Sequence, residues 1–207
     1  MEQKATVHET IAQAFKDLMM KRDFEKITVK MIAAAAGITR SRFYNYFQDK
    51  YEIMEWIIRN QISEKVAILI EKEMYLEALR LMFTCIEEDK AFFARAFRIH
   101  GQNGFEEILA GEFTGLFYQV YKSVSFDYPN KVITRRNIAN YQALALIMYL
   151  RLWICDGRYG DASWSEVCDA YIFMLTQGNS MISPKKLLDA IAEKLPHPLR
   201  YLLNNAK

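Results

Sequence analysis

The chain has no proline before Pro129, and only eight glycines are spread over its 207 residues. Apolar residues recur at spacings of three and four along most of this length, which is the period of a helix that buries one face. Convincing stretches of alternating apolar and polar residues, the pattern of a half-buried strand, are absent from the sequence. The sequence therefore predicts an all-α protein.

Composition favours a globular protein of the cytoplasm. Hydrophobic residues make up 52% of the chain and charged residues 25%, so a sizeable core can be buried. No apolar run approaches the 18 or more residues of a membrane span, and charged residues interrupt the first twenty positions, where a signal peptide would be apolar. We therefore expect a cytoplasmic location and no membrane partner.

Residue types that carry enzyme chemistry or bind metals are scattered along the chain. Cys85, Cys155 and Cys168 are odd in number and lie in apolar patterns, which favours core packing over disulfides or metal ligation. The sequence has no glycine-rich phosphate loop, no His-Glu-x-x-His, no nucleophile elbow and no Cys-x-x-Cys. We expect neither a catalytic site nor a metal nor a cofactor, and predict that the protein is not an enzyme.

Helix-start signals are dense near the N-terminus. Thr6 and Glu9 have the spacing of a capping box, and the apolar stripe behind them predicts a first helix that ends near Arg22. Thr28 is placed to cap a second, short helix, whose alanines give it a low-relief face that another helix can approach closely.

A tight turn follows this second helix. Gly37 can adopt the left-handed conformation, Ile38 can fill the corner, and Thr39 can cap the next helix. Two helices joined by such a turn form a helix-turn-helix. Phe43 and Phe47 share one helix face, which we expect to be buried. The outward face then carries Arg40, Ser41, Arg42, Tyr44, Asn45 and Tyr46.

Positive charge is concentrated on this segment. Between residues 26 and 50, five basic residues oppose Asp49 alone, so the net charge is five minus one, or +4, whereas the whole chain carries +2. A basic face with arginines and an asparagine suits the major groove of double-stranded DNA. Lys50 falls in the first turn of a longer helix that Asp49 and Glu52 are expected to cap, where a phosphate contact explains it better than the helix dipole does.

A rival hypothesis is an all-α ligand-binding or protein-interaction module without DNA function. That module would present a neutral or acidic recognition face instead of one with a charge of +4. DNA binding is therefore the preferred interpretation.

Residues 27–53, ITVKMIAAAAGITRSRFYNYFQDKYEI, resemble the DNA-binding signature of the TetR/AcrR transcriptional regulators. The resemblance implies a homodimer that binds a palindromic operator and responds to a small-molecule effector. We expect a repressor, and the sequence leaves an activator open as the alternative. Arg42 stands where Thr or Ser is common, so the details of its base contact are not inherited. The resemblance implies phosphate contacts at Thr28, Lys30, Thr39, Tyr44 and Lys50, and base-facing positions at Arg40, Ser41, Arg42, Asn45 and Tyr46.

The domain organisation follows from these motifs. We expect a three-helix DNA-binding domain over residues 1–55 and a helical regulatory and dimerisation domain over residues 56–207. In the family the last helix pair forms the dimer interface, which implies residues 137–178 here. The segment after Ser183 is interpreted as a second covering helix or, alternatively, a regulatory arm.

Most of the aromatic residues lie in the second domain. Because ligand pockets are lined mainly by apolar and aromatic side chains, this surplus predicts a pocket for an apolar or aromatic small molecule. The alternative is a solid aromatic core without a cavity. The Gly-Gln-Asn-x-x-Phe stretch in this region resembles the TetR subgroup related to dihydroxyacetone-operon activators, which implies no particular ligand. The predicted pocket is lined by some of Phe93, Phe97, Phe117, Tyr118, Tyr121 and Trp153, with Gln102 or Asn103 near its mouth.

Overall fold

The computed structural model describes residues 6–101, 104–122, 131 and 133–177. All regular structure within these residues is helical, and the predicted all-α class is confirmed. The chain divides into two compact units, residues 1–165 and 166–207. None of the helices in the described part is both long and apolar enough to cross a membrane.

Helix α1 (Val7–Lys21) begins at the predicted capping box. The Thr6 hydroxyl oxygen accepts the Glu9 N–H at 3.2 Å, and the Glu9 carboxylate accepts the Thr6 N–H at 2.5 Å. The apolar stripe of α1 is buried, with Ile11 and Phe15 fully inaccessible to solvent. Local sequence signals therefore identified both the start and the buried face of this helix.

Helices α2 (Val29–Ala35) and α3 (Arg40–Phe43) form the predicted helix-turn-helix. Thr28 and Thr39 cap them, each hydroxyl oxygen accepting a backbone N–H three residues ahead. Gly37 has a φ of +67°, the left-handed conformation that glycine adopts without steric cost. The turn chemistry expected from the sequence is confirmed.

The next helix is interrupted at its middle. Helix α4 (Lys50–Ile58) passes into one π-helical turn (Arg59–Ser63) and then into α5 (Glu64–Glu71). The longer helix that was expected to begin at Lys50 therefore starts as predicted, but it is not α-helical throughout. A π turn inserts an extra residue into the helical ladder, and such turns occur often at functional positions.

The cap of α4 differs in one detail from the predicted capping box. The Asp49 carboxylate accepts the N–H groups of Tyr51 and Glu52, as expected for an N-cap. The Glu52 carboxylate, however, accepts the N–H of Gln48 at 2.5 Å instead of the N–H of Asp49. The Glu52 side chain therefore pairs with the backbone N–H of Gln48, one residue before the N-cap Asp49.

The described residues that follow form α6 (Tyr75–Glu88), α7 (Lys90–Ala96), α8 (Phe105–Lys122) and α9 (Arg135–Ile154), all in the first unit. α8 and α9 share the most extensive helix–helix contact. The fully buried side chains of these helices include Phe83, Phe93, Phe105, Phe113 and Leu146.

The second unit contains α10 (Trp164–Thr176), which begins two residues before the unit boundary. Val167, Cys168 and Tyr171 on this helix are buried, whereas Phe173 and Met174 are about half exposed, at 48% and 46%. The segment after Ser183 lies outside the described residues.

Candidate nucleic-acid interface and effector region

Two buried aromatic rings anchor α3, the helix expected to face the bases, and set its orientation. Phe43 and Phe47 are buried, at 0% and 2% exposure, and pack against each other with ring centres 6.1 Å apart. Because they fix one face, the opposite face points outward. Arg40, Ser41, Arg42 and Asn45 are exposed there, as the helical period predicted.

Arg40 and Tyr44 form a pair on this outward face. A guanidinium N–H of Arg40 donates to the Tyr44 hydroxyl at 3.1 Å, and the guanidinium carbon lies 5.6 Å from the centre of the tyrosine ring. Tyr44 itself is 47% exposed. Since each side chain restricts the other, less conformational entropy is lost when a ligand binds them.

Tyr46 stands apart from the other predicted base-facing residues. It is half-buried, and its ring meets the edge of the His8 ring with centres 5.0 Å apart. His8 also stacks on Trp56 at 5.8 Å. The Tyr46 ring thus packs the turn after α3 against α1, and His8 extends this contact to α4, a packing task that the sequence pattern did not show.

The predicted phosphate-contacting residues include two capping threonines and one lysine that are exposed: Thr28, Thr39 and Lys30. Each threonine oxygen accepts a backbone N–H at its cap, at 3.3 Å and 3.1 Å respectively. A hydroxyl group is also a donor, so its proton is available to a phosphate oxygen. Cap formation and phosphate contact are compatible at these two residues.

Lys50 is held by the protein itself. Its ammonium donates to the carbonyl oxygens of Phe24 at 2.6 Å and Ile27 at 3.2 Å, and lies 4.0 Å from the centre of the Phe24 ring. Desolvation by burial lowers the pKa of this ammonium. Two of its three N–H donors are therefore engaged at the 3₁₀ turn Phe24–Lys26, and one is left for a phosphate.

Sequence reasoning missed a buried charge between the helix-turn-helix and the helices that follow it. Lys16 of α1 is 6% exposed, and its ammonium donates to the Gln61 side-chain oxygen at 3.0 Å and to the Asp89 carboxylate. Gln61 belongs to the π turn, and Asp89 joins α6 to α7. The available sequence signal was a lysine within the apolar stripe of α1.

Arg59 connects the π turn to a second neighbouring helix. Arg59 donates to the carboxylates of Glu55 at 2.5 Å and Glu112 at 2.9 Å, and these bonds raise the pKa of its guanidinium, with Glu112 the larger cause. Glu112 lies on α8. Through Gln61 and Arg59, the π turn therefore contacts α1 on one side and α8 on another.

The structure places several predicted effector residues in packed core. Phe93 and Phe97 are 1% and 2% exposed, and both pack on Phe105, with ring centres 6.0 Å and 5.2 Å away. Trp153 is 5% exposed and packs on Phe83 at 5.7 Å. Gln102 and Asn103 lie outside the described residues.

The other three predicted residues lie near the end of α8. Phe117 and Tyr121 stack with ring centres 6.5 Å apart, and burial raises the pKa of the Tyr121 hydroxyl. Tyr118 is 43% exposed. It lines an open cleft of about 500 Å³ between α8 and α9. This lining is more polar than the aromatic pocket that the sequence predicted. The lining residues are Ala110, Gly111, Thr114, Gly115, Tyr118, Arg136, Asn137 and Asn140.

A helix-turn-helix with a basic outward face, joined to a larger helical region, defines a DNA-binding transcriptional regulator. A family model described as bacterial regulatory proteins of the tetR family matches residues 11–57, and one described as a transcriptional regulator C-terminal region matches residues 73–161. The chain belongs to the TetR family of transcriptional regulators, and the resemblance noted in its sequence is confirmed.

Known relatives support the same assignment. The chain is 27% identical over 169 residues to the HTH-type dhaKLM operon transcriptional activator DhaS of Lactococcus lactis subsp. lactis (strain IL1403), covering 81% of this chain and 89% of that protein. The resemblance to the dihydroxyacetone-operon subgroup is thereby confirmed. That relative is named as a regulator of transcription and not as an enzyme.

Solved structures share the fold. The structure of the dihydroxyacetone kinase operon activator DhaS is 26% identical and superposes with a TM-score of 0.59, over 84% of this chain and 97% of that chain. A tetR-family transcriptional regulator from Streptomyces coelicolor is 16% identical, with a TM-score of 0.54 over 96% of this chain and 94% of that one.

Proposed function

We propose that this regulator binds a palindromic operator as a homodimer, represses transcription, and responds to a small-molecule effector. The observation that carries the proposal is the outward face of α3 and of the turn after it, with Arg40, Ser41, Arg42 and Asn45 exposed above a buried Phe43. Arginine and asparagine make bidentate contacts with guanine and adenine edges in the major groove. A regulator must reach its operator, and for a family of bacterial regulatory proteins this supports a cytoplasmic location.

The residues divide into two roles under this proposal. Arg40, Arg42 and Asn45 read bases, with Ser41 and Tyr46 at the margins of the contact. Phosphates are bound by the two capping threonines, by Lys30 and Tyr44, and by the remaining donor of Lys50. Phosphate contacts set the register on the duplex, whereas base contacts set the sequence preference.

Selection of bound DNA from a random pool tests operator recognition directly. We expect the purified protein to enrich an inverted repeat, because a two-fold dimer presents α3 twice. An enriched site without two-fold symmetry would contradict the dimeric arrangement. A pool without any enriched motif would contradict sequence-specific binding.

An exposed apolar stripe supports the homodimer. Tyr141, Leu144 and Met148 of α9 are 69%, 51% and 52% exposed, and their spacing of three and four places them on one face of the helix. On α10, Phe173 and Met174 are likewise exposed. Apolar side chains that recur along one exposed helix face are typical of a protein–protein contact. The proposed interface lies within residues 137–178.

We propose that the effector is an apolar or aromatic small molecule. The accessible end of α8 supports this effector class, because it carries the aromatic side chains of Phe117, Tyr118 and Tyr121. Binding among the more deeply packed Phe93, Phe97 and Trp153 would require these rings to separate. A thermal-shift screen of apolar compounds tests the class, and a screen without any stabilising compound would contradict it.

Activation is the second candidate for the sign of regulation. The relative from Lactococcus lactis is named a transcriptional activator. A reporter fused to the selected operator distinguishes the two signs, because deletion of a repressor raises expression and deletion of an activator lowers it.

A further inference from the structure

A small concavity lies where the end of α1 and the 3₁₀ turn meet the end of α7. It holds about 130 Å³ and is lined by three arginines, Arg22, Arg95 and Arg98, above a floor of Met19, Phe24 and Ile99. The three floor residues are buried, at 1%, 5% and 4% exposure. We name the concavity the three-arginine site.

Positive charge is in excess here. Within the described residues, none of the three arginines forms an ion pair. Two acidic residues, Asp23 and Glu25, also line the site, but Asp23 is paired with Lys26 at 2.8 Å. Lys26 is the main cause of the lowered pKa of the Asp23 carboxyl, and Arg95 adds to it. Three arginines thus line one concavity with two acidic residues, of which Glu25 has no ion pair among the described residues.

We propose that the three-arginine site binds the oxyanion group, phosphate or carboxylate, of a small anionic metabolite. Guanidinium groups present paired N–H donors that match the oxygens of a phosphate or carboxylate, and charged hydrogen bonds of this kind are short and strong. The apolar floor limits water on one side of the site, which strengthens electrostatic contacts. A volume of 130 Å³ equals that of about four water molecules and suits one such group.

The position of the site gives the anion a regulatory role. Arg22 follows α1 within the matched DNA-binding region, whereas Arg95 and Arg98 lie within the matched C-terminal region. An anion bound by both regions removes the repulsion among the arginines and favours the arrangement seen here. It can change operator affinity only through a different affinity for another arrangement. This role rests on the proposed function as a ligand-responsive regulator, in which the anion would act beside the apolar effector. Anion binding itself does not rest on that proposal.

Isothermal titration calorimetry on the full chain tests the site with inorganic phosphate, glycerol 3-phosphate and acetate, at constant ionic strength in sodium chloride. We expect saturable binding of at least one probe, and the responding probes distinguish a phosphate from a carboxylate group. The double variant Arg95→Gln, Arg98→Gln should weaken that binding by about tenfold or more, because several charged hydrogen bonds are lost. Lys72→Gln removes an exposed positive charge elsewhere and should leave the binding unchanged.

Two results would overturn the site: no saturable binding of any of the three probes, or equal binding by the double variant and the unmodified protein. Circular dichroism verifies that each variant folds. If the double variant unfolds, Arg22→Gln, at an exposed position, provides the same comparison. Operator binding is measured on the same samples. A protein that binds operator but no anion contradicts only this site, and one that binds anion but no DNA contradicts only the proposed function.

Discussion

The Lys50 ammonium donates to the carbonyl oxygen of Phe24 at 2.6 Å and so ties the start of α4 to the 3₁₀ turn before α2. A second bond reaches the Ile27 carbonyl. The position of Lys50 beside a helix start had suggested a phosphate contact alone. The structure shows that the same lysine also holds the helix-turn-helix against α4, so its removal should affect folding as well as DNA binding.

Lys50→Met is expected to lower the free energy of unfolding by about 1–2 kcal/mol, because the Ile27 carbonyl loses the Lys50 donor and the Phe24 carbonyl keeps only the backbone N–H of Ile27. Urea denaturation measures this effect. Lys30→Met, at an exposed position on α2, is the control and should leave stability nearly unchanged. Under a purely phosphate-contacting role, Lys50→Met would weaken DNA binding for all sequences without changing the urea midpoint.

Arg42→Ala is expected to weaken operator binding by about 1–3 kcal/mol and to relax the base preference at one position of each half-site. Lys30→Ala should instead weaken all sequences equally and reduce the slope of log affinity against log salt by about one. Binding titrations at several salt concentrations separate the two effects. If Arg42→Ala keeps both the affinity and the preference of the unmodified protein, α3 does not read bases through this residue.

Leu144→Glu should convert the protein from dimer to monomer, because it places a charge in the exposed apolar stripe of α9. Ile68→Glu is a matched control: Ile68 is 53% exposed and Leu144 51%, but Ile68 lies on α5, outside the proposed interface. Light scattering after size exclusion gives the mass of each. A monomeric unmodified protein at micromolar concentration would refute the interface.

Lys16→Ala is expected to lower the free energy of unfolding by about 1–3 kcal/mol, since the part-buried Asp89 carboxylate loses its charged partner. Lys21→Ala, an exposed lysine on the same helix, should change stability by no more than about 0.5 kcal/mol. A double-mutant cycle with Asp89→Asn isolates the pair. Additive effects in that cycle would show that the two side chains do not stabilise each other.

The capping box of α1 predicts a pH dependence. Hydrogen bonds from Thr6, the backbone N–H first, lower the pKa of the Glu9 carboxyl below its ordinary value of 4.5. A carboxyl whose folded pKa is depressed contributes stability that is fully present above the unfolded pKa and is lost as pH falls through the folded pKa. Denaturation of Glu9→Gln and of the unmodified protein should therefore differ most above pH 4.5 and converge in stronger acid. A constant difference across this range would assign the effect to something other than ionisation.

Local chemistry made much of the DNA-binding region predictable. Thr6, Thr28 and Thr39 cap helices through bonds that span three residues, and Gly37 adopts a conformation that other residues reach only with strain. The helical period then separated the buried Phe43 from the exposed Arg42. Each of these features depends on neighbours in the chain, so the sequence by itself determined the helix-turn-helix and its outward face.

Tertiary structure decided the features that depend on distant groups. Lys50 meets a carbonyl 26 residues away and Lys16 a carboxylate 73 residues away, and no local pattern specifies which partners a long side chain will reach. The same holds for the π turn between α4 and α5, for the burial of Phe93 and Phe97 against Phe105, and for the convergence of the three arginines. Such contacts exist only after the helices pack, because packing fixes which faces meet and how much water stays between them.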